Sequence, residues 1–314
     1  MFDLEKFNKQ TWLIATETIG QEVEKFNAQS NGVLQLVPKP FEGDFDIEAS
    51  FKLLSGLVRR RDVENGQNKI DSTRLSQHKK VAVKIAAGTP EILWENAQYA
   101  WVKQNPQTAS VVIGEQLAKA MLADMLNAGI KAGVAAIKSN TKAVENATTK
   151  PIDFATLTKG ASRFGDRSSS IAAWVMHSGA LSQLHLNALA NSERLFTYDS
   201  VNVLRDPFGR VLIVTDSPDL LHETTKFNTL GLTEGGIIVS TQNDFNSVIV
   251  PKTGLENITN AYQAEWSYAT SVKGYSWKTT AGGNNPNAGA LATPTNWEQI
   301  ATDIKDTAGV LLQT

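Results

Sequence analysis

Apolar residues at Leu4, Phe7, Trp12, Ile14, Ile19, Val23 and Phe26 follow helical spacing, interleaved with Glu5, Lys6, Glu22 and Lys25. The pattern drifts, so a bent arm is predicted over 4–27 and not one straight helix. The polar run Asn27 to Gly32 breaks it. The period then becomes two. In residues 41–48, Phe41, Phe45 and Ile47 alternate with Glu42, Asp44, Asp46 and Glu48. A strand with one apolar and one acidic face follows. Val81 to Ile85 alternates again and predicts a return strand. Between them lies a basic stretch with few large apolar residues. Lys52, Arg59, Arg60, Arg61, Lys69, Arg74, Lys79, Lys80 and Lys84 stand against only Asp62, Glu64 and Asp71. It reads as a protruding hairpin. Such a charge run is either a solvated face or a loop that lies on an oppositely charged neighbour, and the acidic strand is a candidate surface for it.

The strongest helical signal runs from Pro106 or Thr108 to Ile137. Val112, Leu117, Met121, Met125 and Leu126 line one side, with Glu115, Lys119 and Asp124 off it. About 30 residues make a rod of roughly 45 Å. The small residues Ala128, Gly129, Ala132 and Gly133 predict close packing on a sheet. Asn140 to Pro151 reads as a polar linker. Residues 152–258 mix both periods: helices over Ala155–Arg163 and Ser178–Ala190, and strands at Ala172–Met176, Val211–Thr215, Gly236–Ser240 and Ser247–Val250. Arg205 to Arg210 reads as a turn before a buried strand. From 259 to 272, Tyr262, Ala264, Trp266, Tyr268 and Val272 alternate with polar residues, which predicts a long strand with an aromatic face. Gly274 to Trp277 is expected to continue it. Residues 281–286 read as an exposed turn, Thr295 or Asn296 as the cap of a helix through Trp297, Ile300 and Ile304, and Ala308 to Leu312 as an edge strand. No internal repeat is apparent.

Composition narrows the function. The 314 residues are 41% hydrophobic and 20% charged, which describes a globular chain. A net charge of -2 argues against a surface built throughout to clamp nucleic acid. Cysteine is absent, which excludes disulfides and thiolate metal sites. Asp3 and Glu5 and the lack of a long apolar run argue against a secretory signal. No uninterrupted run of about 18 uncharged apolar residues exists, so no membrane span is expected. The four histidines have no zinc-site spacing, and neither a phosphate-binding GxxxxGK[ST] loop nor a GxSxG elbow is present. Gly160 to Gly165 (GASRFG) reads as a flexible loop. His177 and Ser178 are adjacent, with no acid nearby in sequence to orient the ring, so they read as a turn that starts a helix. No constellation demands an enzyme, and no cofactor or metal is expected.

The order of elements resembles the major capsid protein of tailed bacteriophages, the Hong Kong 97-like fold family. Local residues carry the resemblance further. Ala173 to Ser178 with Leu181 and Leu184, then Gly209 to Asp216, are similar to the strand-into-helix step and next strand of its axial domain. Lys273 to Trp277, Leu291 to Thr293, Thr295 to Trp297, and Lys305 with Ala308 to Val310 resemble the C-terminal end of one branch of phage coat proteins. The resemblance implies an α+β fold of four parts. These are an N-arm (1–32), an extended loop with a β-hairpin (33–85), a peripheral domain (86–144 and 259–314) with a spine helix at about 106–138, and an axial α/β domain (145–258).

The resemblance also implies a structural protein and not an enzyme. Many copies would form hexamers and pentamers in an icosahedral virion shell after assembly in the host cytoplasm. Portal, scaffolding and cement proteins are the implied partners. Packaged double-stranded DNA would meet the inner face without sequence specificity, and no membrane is involved. The intersubunit contact candidates are Glu42, Asp44, Asp46, Glu48, Arg59, Arg60, Arg61, Lys79 and Lys80. Two alternatives stay open: an encapsulin-type compartment shell, and a soluble α/β hydrolase with an unrecognised carboxylate pair.

Overall fold

Two long apolar elements organise the chain, a helix at 106–138 and a strand at 259–272. The computed structural model describes residues 4–38, 45–51, 58–61, 63–64, 66, 70, 72, 74–75, 77–95, 104–187, 194–198, 201–205, 209–223, 225–242, 244–254 and 256–314. The longer helices are α1 (Leu4–Gln29), α2 (Pro106–Lys138), α3 (Phe154–Ser162) and α4 (Ser178–Asn187). The strands are β1 (Leu34–Pro38), β2 (Phe45–Phe51), β3 (Gln77–Gly88), β4 (Ile92–Glu95), β5 (Val144–Asn146), β6 (Ile171–Met176), β7 (Arg194–Tyr198), β8 (Val201–Arg205) and β9 (Val211–Val214). They continue with β10 (Leu221–Glu223), β11 (Lys226–Thr233), β12 (Ile237–Thr241), β13 (Asn246–Lys252), β14 (Thr259–Val272), β15 (Tyr275–Trp277), β16 (Trp297–Gln299) and β17 (Gly309–Gln313).

The first sheet runs β1-β12-β14-β3-β2, and β13 and β4 flank the first half of β14. The second runs β5-β17-β11-β6-β9-β8-β7, with β10 on β11. Helix α2 packs on both. Its small residues allow this close approach: a Cβ on Gly129 would lie 2.9 Å from the Val239 side chain, and one on Gly133 would collide with Ile237. Leu117, Met121 and Met125 are buried, as the spacing predicts, Leu126 is half-buried and Val112 is exposed; Ala132 and Ile137 are buried as well. By length and composition α2 could cross a membrane, yet most of its apolar window is buried inside the protein. It is the core helix.

The central strands of the second sheet, β9, β6, β11 and β17, are buried on both faces, which explains their nearly continuous apolar sequences. Ala173, Val175, Leu230 and Leu311 join the core around α2. Trp174, Met176, Val310 and Leu312 point the other way, towards Leu157 of α3 and Leu184 of α4. Helix α3 starts with a capping box. The Thr156 N–H donates to the Asp153 side chain at 2.6 Å, and the Asp153 N–H donates to the Thr156 hydroxyl at 2.9 Å.

Several expectations change. Residues 4–29 form one helix, because Phe7 and Ala15 are buried where α1 lies along α2. At their crossing a Cβ on Gly114 would sit 2.8 Å from the Thr11 carbonyl oxygen. The Asn27 side chain brackets Leu36, accepting from its N–H at 2.9 Å and donating to its carbonyl at 2.8 Å. Residues 160–165 are no loose loop: Gly160 lies inside α3 and Phe164 is fully buried. The linker at 140–151 contributes β5 to the second sheet. Residues 206–208 of the expected turn lie outside the described residues.

The C-terminal part differs most. Gly274, at φ +76°, turns the chain away after β14, so Tyr275 to Trp277 pair with β16 instead of extending β14. No α-helix forms at 295–304: single 3-10 turns at Pro294–Asn296 and Ile304–Asp306 flank the strand β16. Trp297 is buried edge-on against Trp277, with ring centroids 5.1 Å apart, and this burial outweighs the helical spacing. β17 is not an edge strand; it lies between β5 and β11. β1, β12 and β13 belong with α2 and β14, whereas β17 completes the second sheet.

Candidate assembly surface

The β2–β3 hairpin grows from the edge of the first sheet. Its register places Glu48 opposite Lys80, Ala49 opposite Lys79 and Asp46 opposite Ala82. The acidic strand and the basic return strand are therefore partners within one hairpin. Glu42 and Asp44 lie outside the described residues. Arg59, Arg60 and Arg61 are exposed in the connection beyond β2, Lys79 is exposed, and Lys80 is half-buried. Large apolar side chains stand among these charges. Val58 is 89% exposed, Val63 86%, Ile70 59% and Leu75 60%.

A second surface carried no clear sequence signal. β13 and β4 pair with β14 from opposite sides, so Val250, Ala261 and Leu93 fall in one row across three strands. Val250 and Leu93 are about half exposed, as are Val248 and Ile258 nearby. The opposite face packs inward, where Ile249 meets Phe7 and Ala109. The rim of the exposed face is acidic. Glu91 pairs with Lys252, Glu95 accepts from Asn257, Glu265 accepts from Asn246, and Glu256 is exposed. Isolated exposed apolar residues are ordinary, but a contiguous set with a polar rim marks a contact surface.

The groups with catalytic chemistry are otherwise engaged. The fold does bring an acid to His177: Asp216 Oδ1 is 3.7 Å from Nε2. This acid is distant in sequence, which is why none was expected. Asp216 also accepts from the Ser178 N–H at 3.4 Å, and the Ser178 hydroxyl first of all holds its carboxyl below the usual carboxylate range. The His177 Nδ1 accepts from the Gly179 N–H at 3.0 Å, and the ring stacks on Phe227. The set caps the start of α4. A cleft of about 560 Å³ between α2 and β3 presents one carboxylate, Asp124. That carboxylate accepts the Tyr268 hydroxyl at 2.8 Å. Among the described residues no group of three His, Asp or Glu side chains could hold a metal ion.

This arrangement, a long helix packed on two sheets with the β2–β3 hairpin at the edge of one, is a fold shared with solved structures. The capsid of cyanophage Pam1 matches with a TM-score of 0.53 at 10% identity, over 79% of this chain and 87% of that one. The SrpI encapsulin of Synechococcus elongatus matches with a TM-score of 0.50 at 10% identity, over 88% and 84%. No curated protein matches the sequence. The fold is the Hong Kong 97-like capsid fold. The model of the Gp13-like family, described as major capsid protein 13-like, matches residues 3–311, and the chain belongs to that family. It is a structural protein of the virion capsid and not an enzyme.

Proposed function

We propose that copies of this chain form hexamers and pentamers that close into an icosahedral head around double-stranded DNA. Assembly takes place in the host cytoplasm with portal, scaffolding and cement proteins. The observation that carries the reading is the hairpin connection, where Val58 and Val63 stand almost wholly in water beside Arg59, Arg60 and Arg61. A subunit gains nothing from such a projection alone; a neighbour that covers it does. The acid-rimmed face of β4, β14 and β13 has the complementary chemistry, apolar at the centre and negative at the edge. In this reading the hairpin of one copy lies on that face of the next, and Glu42, Asp44, Asp46, Glu48, Lys79 and Lys80 flank the joint. A near-neutral chain suits a lining from which DNA must later leave. The test is Leu93→Asp with Val250→Asp. The variant subunit should fold and remain unassembled under conditions that give wild-type shells. Normal shells would remove the receiving face from the account.

The fold shared with an encapsulin supports a second reading, a compartment for protein cargo. Shells purified from the cells that naturally make them decide between the two. Nuclease-protected double-stranded DNA supports the phage head, and a stoichiometric protein cargo supports the compartment.

A further inference from the structure

The hairpin leaves the first sheet at a defined point. β14 pairs with β3 only as far as Thr270 opposite Val83. It then ends on β12, with Val272 opposite Ile237, and the chain turns at Gly274. β2 pairs with β3 from Val83 down to Gln77 on the other side. One edge of β3 therefore loses its strand partner just where the hairpin begins to project.

A single side chain takes over that edge. The Val81 N–H donates to Ser276 Oγ at 3.1 Å, and the Ser276 hydroxyl donates to the Lys79 carbonyl at 3.3 Å. The two backbone groups belong to residues i and i+2, so they face the same side of the strand. One hydroxyl thus supplies both an acceptor and a donor, as the next residue of a partner strand would. Ser276 is itself fixed. It is 2% exposed, pairs with Glu298 in the β15–β16 ladder, and lies between the buried Tyr275 and Trp277. A cleft of about 550 Å³ lined by Lys79, Val81, Ser276, Lys278, Asn284 and Glu298 borders the same stretch.

We infer that Ser276 is a positioning residue for assembly: its hydroxyl sets the point where β3 leaves the sheet, and with it the angle of the hairpin. The inference rests on the reading of the hairpin as an assembly element. Without the hydroxyl, Val81 and Lys79 face the cleft, and the root of the hairpin opens while the sheet behind it keeps its ladder. Packing by Ser276 as a small buried residue would not require this, because alanine fills nearly the same space.

The test compares the Ser276→Ala and Ser276→Thr variants of the 314-residue chain with wild type, using residue-resolved hydrogen exchange on the subunit and electron microscopy of assembled shells. In Ser276→Ala the Val81 amide should exchange roughly five- to tenfold faster, the effect of one lost hydrogen bond on a local opening. The Tyr268 and Ala269 amides of β14 should not change. Shells from this variant should be irregular in size or incomplete. Ser276→Thr keeps the hydroxyl and should restore both readouts. Unchanged Val81 exchange in Ser276→Ala overturns the inference. So does faster exchange with normal shells, which leaves the hydrogen bond real but without a role in assembly. Loss of the folded state in both variants also overturns it, because Ser276 would then be a packing residue. Charge reversal in the hairpin tests the underlying reading separately.

Discussion

Gly309 and Gly231 meet backbone to backbone: a Cβ on Gly309 would collide with the Gly231 carbonyl oxygen where β17 joins β11. Neither glycine has room to yield, since a Cβ on Gly231 would sit 2.6 Å from the Trp174 ring. Gly309→Ala should therefore destabilise the subunit by about 2–4 kcal/mol, the scale of a core steric clash with backbone movement. Urea unfolding of the purified subunit measures this. A loss below about 0.5 kcal/mol would mean that β17 shifts freely, contrary to its burial on both faces.

Asp219 and Lys131 tie α2 to the segment before β10, with Nζ and Oδ1 3.6 Å apart. Burial raises the Asp219 pKa against the pull of Lys131, and Asp219 Oδ2 is buried with no hydrogen-bond partner among the described residues. A raised folded pKa favours the neutral acid in the folded state. The associated stability is present below the ordinary aspartate pKa and is lost as pH rises through the folded value. Asp219→Asn should thus melt at or above the wild-type temperature at pH 7, and the difference should vanish below about pH 4. A lower melting temperature at pH 7 would show that the ion pair outweighs its desolvation.

Burial raises the pKa of Tyr262, Tyr268 and Tyr275, and the last two offer a test at alkaline pH. Burial, above all, raises the pKa of Tyr268, and it pushes the Tyr275 hydroxyl up to about 12. An unfolded tyrosine ionises near pH 10, so both stabilise the fold fully below that pH and progressively less above it. The Tyr268→Phe, Tyr275→Phe double variant should lose less stability than wild type between about pH 9 and 11. At pH 7 Tyr268→Phe alone should lose about 1 kcal/mol, because its bond to Asp124 is gone. Parallel alkaline profiles would contradict the assignment.

The long periodic elements were legible. Met121 and Met125 on α2, and Tyr262 and Tyr268 on β14, are buried on the faces their spacing marks. Elements decided by distant partners were not. Trp297 has helical neighbours in sequence, but Trp277 buries it in a strand. β17 reads as an edge because its alternation cannot show that β5 covers its far side. The basic hairpin was visible as a charge run, whereas the row of Val250, Ala261 and Leu93 needs the pairing of three separate strands. Ser276 has no signal at all in sequence, because its partners Val81 and Lys79 lie almost 200 positions away.

Arg59, Arg60 and Arg61 are exposed, so reversing all three to Glu should leave the subunit folded. The yield of closed shells should nevertheless fall by about tenfold or more, because like charges would then meet at the joint. Circular dichroism and shell counts by electron microscopy separate the two effects. Normal shells would remove the charge argument.

The most direct measurement of the central claim is the size of the particle this chain forms. The 314-residue chain, expressed alone and with the neighbouring phage head proteins, is passed over a sizing column with light scattering and imaged by negative stain. The account predicts megadalton particles with hexagonal or pentagonal outlines in at least the co-expressed sample. A 34.1 kDa monomer in both samples would contradict it.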